Sequence, residues 1–406
     1  MRRLVAIFLV AVACTPEPVL PSPSPSAPPT SSPTEAVVVT PSPDPATFGA
    51  YGRPRVNALG PLHGDWVFAL RETQDPVLAN VYVELLAMPL TGSTPRVAMS
   101  WVQPSGGINV PLPNGIASQL SPDGKRLVVG LEGGARGGQL FVADLETGAF
   151  RSIGEGILPV WGSGERIAFQ RRHPTEVYGP STSWYVDAAG GTPTRIVDDA
   201  TPLVWHRDSL VVGVRGGIEI RGPADYRPGM PFPLILDNAP VGEHPIGQLT
   251  QSGVTVLAIA TYDAGRTPAE HKIEVVSTPG AGSRETVASE VGSYVEVRFA
   301  EPRWSPADVL QILYRRDGSR GHELHIFDME TKRDTVATVK GIPRRAEWTP
   351  DGEQIVYLTD QRPAEFPARE VRSIRPISGR DDRLLIAADP NVQWTFRDVA
   401  TFRYPP

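Results

Sequence analysis

One short signature returns along this chain and constrains its fold more than any other feature. An apolar run ends in Trp or Leu, a Ser/Pro/Asp/Gly-type corner follows, and a second apolar run begins. It reads Leu120-Ser121-Pro122-Asp123-Gly124-Lys125-Arg126-Leu127-Val128-Val129, and again Trp348-Thr349-Pro350-Asp351-Gly352-Glu353-Gln354-Ile355-Val356-Tyr357. Other members stand at Trp161-Gly162-Ser163-Gly164, Trp205, Leu249 and Trp304-Ser305-Pro306, with a degenerate first member around Leu59 to Phe68. From Leu120 onward the steps are 41, 44, 44, 55 and 44 residues. The corner has a mechanism. Pro pre-sets φ, Asp caps its own backbone and Gly takes positive φ, so the two flanking runs pair as a hairpin.

A second signal follows each corner by about 24 residues, again a strand, a polar turn and a strand. Phe141-Val142-Ala143-Asp144-Leu145-Glu146-Thr147-Gly148 matches Ile326-Phe327-Asp328-Met329-Glu330-Thr331-Lys332, with weaker copies centred on Met88, Asp187, Arg221, Ser277 and Arg375. Two hairpins per unit make four strands per unit, and four-stranded units of 40–50 residues are the sequence sign of propeller blades. Sandwiches do not repeat one motif seven times. The expected fold is therefore all-β. It is a β-propeller of four-stranded antiparallel blades over residues 48–406, with seven blades favoured and six or eight as the neighbouring counts. Val392-Gln393-Trp394-Thr395-Phe396-Arg397, after the last blade's fourth strand at Leu384-Leu385-Ile386, is expected to pair with the first blade and close the ring, removing open sheet edges.

The Trp-Ser-Pro-Asp-Gly-like pattern resembles the WD40-like repeats of TolB-type propellers, which also form the propeller beside the hydrolase in prolyl oligopeptidases. The resemblance covers about 350 residues, most clearly 117–152 and 322–360. It implies a propeller fold, and function only loosely, since propellers host many roles.

The N-terminus carries an address. Met1-Arg2-Arg3 is basic, and Leu4 to Ala13 is an uncharged apolar run. That run is too short for a membrane span, which needs about 20 residues, and suits a signal peptide. Ala11-Val12-Ala13-Cys14 places the only Cys of the chain at the end of this run. It resembles the lipobox of bacterial lipoproteins, with Ala11 where Leu is usual. The resemblance implies cleavage after residues 1–13 and acylation of Cys14. An ordinary Ala-x-Ala signal-peptidase site is the alternative. Losing Arg2 and Arg3 takes the net charge from −6 to −6 − 2 = −8. An acidic chain is not held to an anionic membrane by its own surface, so the lipid would have to anchor it.

Residues 14–47 read as acylated Cys14 followed by a disordered linker. Residues 15–47 hold 11 Pro, 6 Ser and 5 Thr among 33. Pro removes backbone donors and fixes φ, so neither helix nor sheet forms there. As a polyproline-like spacer it reaches up to roughly 100 Å.

The rest of the chain offers little chemistry. Gly162-Ser163-Gly164 and Gly282-Ser283 lack the spacing of a nucleophile elbow. In His322-Glu323-Leu324-His325 the imidazoles lie three apart on a strand, hence on opposite faces, and read as the solvated edge of a hairpin. A channel site would need His63, His206 or His244 within metal-binding reach of one another. Gly133 to Gly138 joins two strands, without the helix start that a phosphate loop needs. Asp123 and Asp351 are explained as turn caps, and Trp161, Trp205, Trp304 and Trp348 as packing between blades. Arg171-Arg172, Arg315-Arg316 and Arg344-Arg345, with acids such as Glu301 and Asp317 nearby, read as solvated charged faces.

The expectation is thus a lipid-anchored extracytoplasmic propeller at the bacterial cell envelope. It would act as a monomeric scaffold or binding module for a protein or glycan partner, with no cofactor, metal, nucleic acid or catalytic residue. The alternatives are an enzyme processing carbohydrate or peptide at the propeller's central face, and a solute- or glycan-binding lipoprotein. Cys14→Ser is expected to move the protein from the membrane fraction to the soluble fraction; an unchanged distribution would contradict lipidation.

Overall fold

The structure is a computed structural model. It describes residues 53–74, 80–104, 115–131, 138–171, 181–206, 209–214, 217–221, 234–235, 246–251, 254–263, 268–278, 284–293, 296–307, 309–319, 321–360, 368–388 and 394–405. The chain divides into Met1–Ala36 and Val37–Pro406, and every described residue falls in the second unit. The signal segment, Cys14 and the linker therefore lie outside the described residues.

The described strands form seven sheets. The first contains β1 (Arg55–Val56), β2 (Gly64–Gln74), β3 (Asn80–Pro89) and β4 (Arg96–Pro104). The second contains β5 (Arg126–Leu131), β6 (Gln139–Asp144) and β7 (Phe150–Glu155), and the third β8 (Ile157–Trp161), β9 (Arg166–Arg171), β10 (Thr182–Asp187) and β11 (Thr194–Asp198). The fourth is β12 (Ala200–His206), β13 (Ser209–Val214), β14 (Gly217–Arg221) and β15 (Leu234–Ile235). The fifth is β16 (Ile246–Gln251), β17 (Val254–Asp263), β18 (Glu270–Thr278) and β19 (Arg284–Val291). The sixth is β20 (Val297–Trp304), β21 (Gln311–Gly318), β22 (Gly321–Asp328) and β23 (Arg333–Val336). The seventh is β24 (Ile342–Trp348), β25 (Ile355–Asp360), β26 (Glu370–Arg375) and β27 (Arg380–Ala387).

The last strand, β28 (Thr395–Tyr404), returns to the first sheet, whose order is β1-β4-β3-β2-β28. Neighbouring strands pair antiparallel, in sequence order within each of the other sheets. The first strands of successive sheets lie against one another, β8 on β12, β20 on β24 and β24 on β28. This is the β-propeller that the repeats imply.

Packing follows from this arrangement. Central strands bury both faces, as in β25, where all six residues are buried. Outer strands such as β23 are largely exposed. The core is divided into clusters between neighbouring sheets, such as Val128, Leu140, Trp161, Ile167 and Phe169 between the second and third. No helix among the described residues is long and apolar enough to cross a membrane.

The repeat positions fall where they were expected. The third strands end at Pro89, Asp144, Asp187, Arg221, Thr278, Asp328 and Arg375, where the sequence places the seven polar turns. The two strong corners share one hydrogen-bond pattern. Thr349 Oγ1 meets Asp351 Oδ1, Asp351 Oδ1 accepts the Glu353 N–H, and Thr349 Oγ1 accepts the Gln354 N–H. Ser121, Asp123, Lys125 and Arg126 repeat it. Gly124 and Gly352 sit at φ 68° and 72°. There is no room for a Cβ at either, because Phe402 and Ala307 of the preceding sheets press against them. The same glycine thus forms the corner and seats one sheet on the next.

One irregularity is explained and two expectations need correction. The first repeat is degenerate because its innermost strand is β28, from the other end of the chain, so no covalent corner exists there. The closing strand is β28 at Thr395–Tyr404, longer and later than the expected 392–397. The run before Leu120 is a 3-10 turn, Ile116–Gln119, joined to β5 only by the Leu120–Leu127 bridge.

The repeat Trp residues tie sheets together through hydrogen bonds as well as packing. Trp205 Nε1 donates to the Val160 carbonyl at 3.2 Å, and Trp348 Nε1 to the Arg303 carbonyl at 3.2 Å. Each acceptor directly precedes the repeat Trp of the preceding sheet. Among the described residues Trp161 Nε1 and Trp304 Nε1 have no acceptor, and both follow a unit that carries Leu120 or Leu249 in place of Trp. Trp348→Phe is expected to destabilise the protein by about 1 kcal/mol more than Trp304→Phe in denaturant melts, since only the first strands a bonded carbonyl. Equal losses would mean that the rings act by volume alone.

Candidate functional site

Five of the innermost strands share an irregularity that β16 lacks. Register shifts interrupt β8 between Ile157 and Val160, β12 between Pro202 and Val204, β20 between Ala300 and Arg303, and β24 between Pro343 and Ala346. β28 is interrupted in the same way opposite Leu70 and Arg71. Bulges re-aim side chains. Two of these residues take left-handed backbone, Leu158 at φ 49° and Glu301 at φ 56°, a conformation that costs a non-glycine residue about 1 kcal/mol or more.

What the bulges carry differs around the ring. In the third and fourth sheets they carry Leu158-Pro159 and Leu203. In the sixth, seventh and first they carry Glu301-Pro302, Arg344-Arg345 and Arg397 beside Asp398.

These charges join into one chain of contacts. His322 Nδ1 donates to Asp317 Oδ1 at 2.8 Å, and Arg315 Nε lies 2.8 Å from the same oxygen. Arg315 Nη1 reaches Glu301 Oε2 at 3.1 Å. Arg345 lies 3.4 Å from both Glu301 and Asp398. Asp398 Oδ2 then accepts the Ile116 N–H at 2.6 Å, with Gly115 packed so closely on its carboxylate that a Cβ would clash. The chain therefore crosses from the sixth sheet through the seventh and first to the 3-10 turn before the second. Beside it, Arg303 Nε meets Glu347 Oε2 at 3.1 Å. All these side chains are largely buried.

Burial alone would raise the carboxyl pKa values. For Asp317 the His322 hydrogen bond and the Arg315 guanidinium outweigh burial and hold it at about 2. For Glu301, Arg315 and Arg345 likewise outweigh burial, and its pKa is lowered. Glu347 goes the other way, because burial exceeds what Arg303 returns. Burial, then Arg315, lowers the Arg344 pKa. Such paired charges hold strands together, and breaking one pair leaves a buried charge uncompensated.

The solvated reading is therefore wrong for Arg315, Arg316 and Arg345. Arg315 and Arg345 belong to this buried chain. Arg316 lies on the opposite face of β21 and bonds Glu290 of the fifth sheet through two 2.8 Å contacts. Arg172 lies outside the described residues. The hairpin-edge reading of the histidines is also wrong. His325 is buried on a third strand, where Nδ1 meets Asp334 Oδ2 at 2.9 Å and the ring stacks on Tyr314. His322 and His325 do face opposite sides of the sheet, as their spacing requires.

His63 is exposed, with Nδ1 3.5 Å from the Pro405 carbonyl. The His206 side chain, His173, His244, Gly282, Ser283 and Gly133 to Gly137 lie outside the described residues. Among the described residues no group of three or more His, Cys, Asp or Glu is placed to hold a metal. The axial charges went unread as a site because each is ordinary locally. For Glu301 and Arg345 the available signal was their place, three residues before Trp304 and Trp348.

No protein-family model matches the chain, and no curated protein matches it. Solved structures with a similar fold include TolB from Acinetobacter baumannii, at 15% identity and TM-score 0.45, covering 83% of this chain and 66% of that one. Dihydro-heme d1 dehydrogenase NirN aligns at 14% identity and TM-score 0.49, over 88% of this chain and 78% of that one. An acylaminoacyl peptidase from Pyrococcus horikoshii aligns at 12% identity and TM-score 0.49, over 82% of this chain and 52% of that one. The chain thus spans about two thirds of the TolB chain and half of the peptidase. The propeller assignment rests on the sheets themselves.

The pH response of the axial chain has a definite sign. The folded pKa of Asp317, about 2, is below its ordinary value of 3.8. Its contribution is therefore complete above the unfolded pKa and is lost as pH falls toward 2. It is expected to be on the order of 2 kcal/mol. Asp317→Asn should flatten the stability-versus-pH slope between about pH 4 and pH 2; a slope equal to that of the parent protein would refute the assignment.

Proposed function

We propose that this chain is a membrane-tethered binding module rather than an enzyme. A lipid on Cys14 holds it outside the cytoplasm at a bacterial cell envelope, the Pro/Ser/Thr segment spaces it from the membrane, and the propeller offers one end of its ring to a protein or glycan partner. The chain acts as a monomer, without nucleic acid or cofactor.

The observation that carries this reading is the asymmetry of the ring's two ends. At one end lie the corners between first and second strands and the turns between third and fourth strands. The strong examples close on themselves: Asp351 and Asp328 each accept two or more backbone or hydroxyl hydrogen bonds from their own turn. Groups satisfied within a turn have little left to offer a partner. At the other end lie the bulged starts of the innermost strands, the axial charges, and the ends of second strands such as β9 and β25. A rigid scaffold that presents charged groups at one end is an arrangement suited to binding.

The test is photo-crosslinking in membranes with the full lipid-bearing chain. Probes at exposed Ala117 and Asp199 mark the charged end, and probes at exposed Pro122 and Glu330 mark the opposite end. Adducts are expected from the first pair only. Adducts from the second pair alone, or equally from both, would reject this binding face.

A further inference from the structure

The polar part of the junction between the fifth and sixth sheets holds a buried histidine with an acid at each ring nitrogen. His325 is 9% exposed. Its Nδ1 lies 2.9 Å from Asp334 Oδ2 on β23, and its Nε2 lies 3.4 Å from Glu323 Oε2 on its own strand. Tyr314 of β21 stacks on the ring and donates its hydroxyl to the same Asp334 oxygen at 2.9 Å. The other charges on this side have partners of their own. Arg316 of β21 is committed to Glu290 of β19 through two 2.8 Å contacts and stands 3.6 Å from Glu323. His271 of β18 stands opposite Glu290 in the fifth sheet, with Arg298 of β20 acting on it. Lys332, in the turn after β22, meets Glu285 of β19.

An ionised carboxyl only accepts hydrogen bonds, and a neutral imidazole carries one N–H and one lone pair. In either neutral tautomer, one nitrogen of His325 would turn its lone pair toward a carboxylate oxygen. Only the imidazolium donates to both acids. Burial opposes that charge, but the Asp334 and Glu323 contacts outweigh it, and the His325 pKa is raised. Burial lowers the pKa of His271, so the two histidines of this junction do not charge together.

We propose that His325 is a proton-operated clasp. As an imidazolium it draws Glu323 of β22 and Asp334 of β23 onto one ring, and it keeps Glu323 beside Arg316, the residue that crosses to the fifth sheet. When the proton leaves for solvent, the ring keeps Asp334 and releases Glu323. The folded pKa lies above the ordinary 6.5, so the clasp's contribution is complete below 6.5 and is lost as pH rises through the folded value.

The histidine ring signals of the full chain, followed by NMR across a pH titration and assigned with His325→Gln, test this. His325 is expected to titrate above 6.5, and Glu323→Gln is expected to lower its midpoint by removing one carboxylate. In denaturant melts the stability advantage of the parent protein over His325→Gln should shrink as pH rises through that midpoint. A midpoint at or below 6.5, a midpoint indifferent to Glu323→Gln, or an advantage that does not change with pH would each overturn the proposal. If His325→Gln does not fold, Glu323→Gln and Asp334→Asn, at side chains 41% and 37% exposed, identify the signal by its shift, and the absence of any histidine signal that both variants move would overturn it.

Discussion

A four-stranded sheet that is apolar on both faces needs a neighbour on each side, and this requirement shapes the whole propeller. An open row of such sheets would leave an apolar face bare at each end. Here the row is closed by β28, which pairs with β2 from Gly64 to Glu72 and supplies the innermost strand of the first sheet. The closure joins residues more than 300 positions apart, so its entropic cost is met late and by many contacts at once. Val67, Ala69, Leu86 and Met88 can be buried against Val356, Leu358, Trp394 and Val399 only because that strand is in place.

The repeat corner serves the same requirement one junction at a time. Its Ser or Thr and Asp satisfy the turn, its Gly lets the preceding sheet approach, and its Trp donates across the junction. Nearest-neighbour contacts of this kind make stability a sum of unit and interface contributions. The indoles of Trp161 and Trp304 mark where a junction departs from the pattern. The most altered junction is the one before the second sheet, where the Asp398 carboxylate holds a 3-10 turn in the place of a strand.

The axial charges add a second tie that the repeat does not encode. Alternating signs run from Asp317 through Arg315, Glu301 and Arg345 to Asp398, each within 3.4 Å of the next. Ion pairs this buried are poor sources of net stability but are intolerant of losing a member. They therefore specify how three adjacent sheets meet at the axis. Glu301 adopts left-handed backbone at this point, which is the strain expected where surrounding structure fixes a residue.

Repetition in the sequence determined the fold class, the corner chemistry and the end of every third strand, because hairpin turns and strand alternation are set by residues close together in the chain. The sequence could not tell that Arg345 and Glu301 are buried, since burial depends on which sheet comes to lie alongside. Nor could it tell that the first corner is absent, or that Ile116–Gln119 forsakes the strand: these follow from β28 crossing to the first sheet and from Asp398 arriving with it. Contacts between residues far apart in sequence decide such features, and only the closed ring brings those residues together.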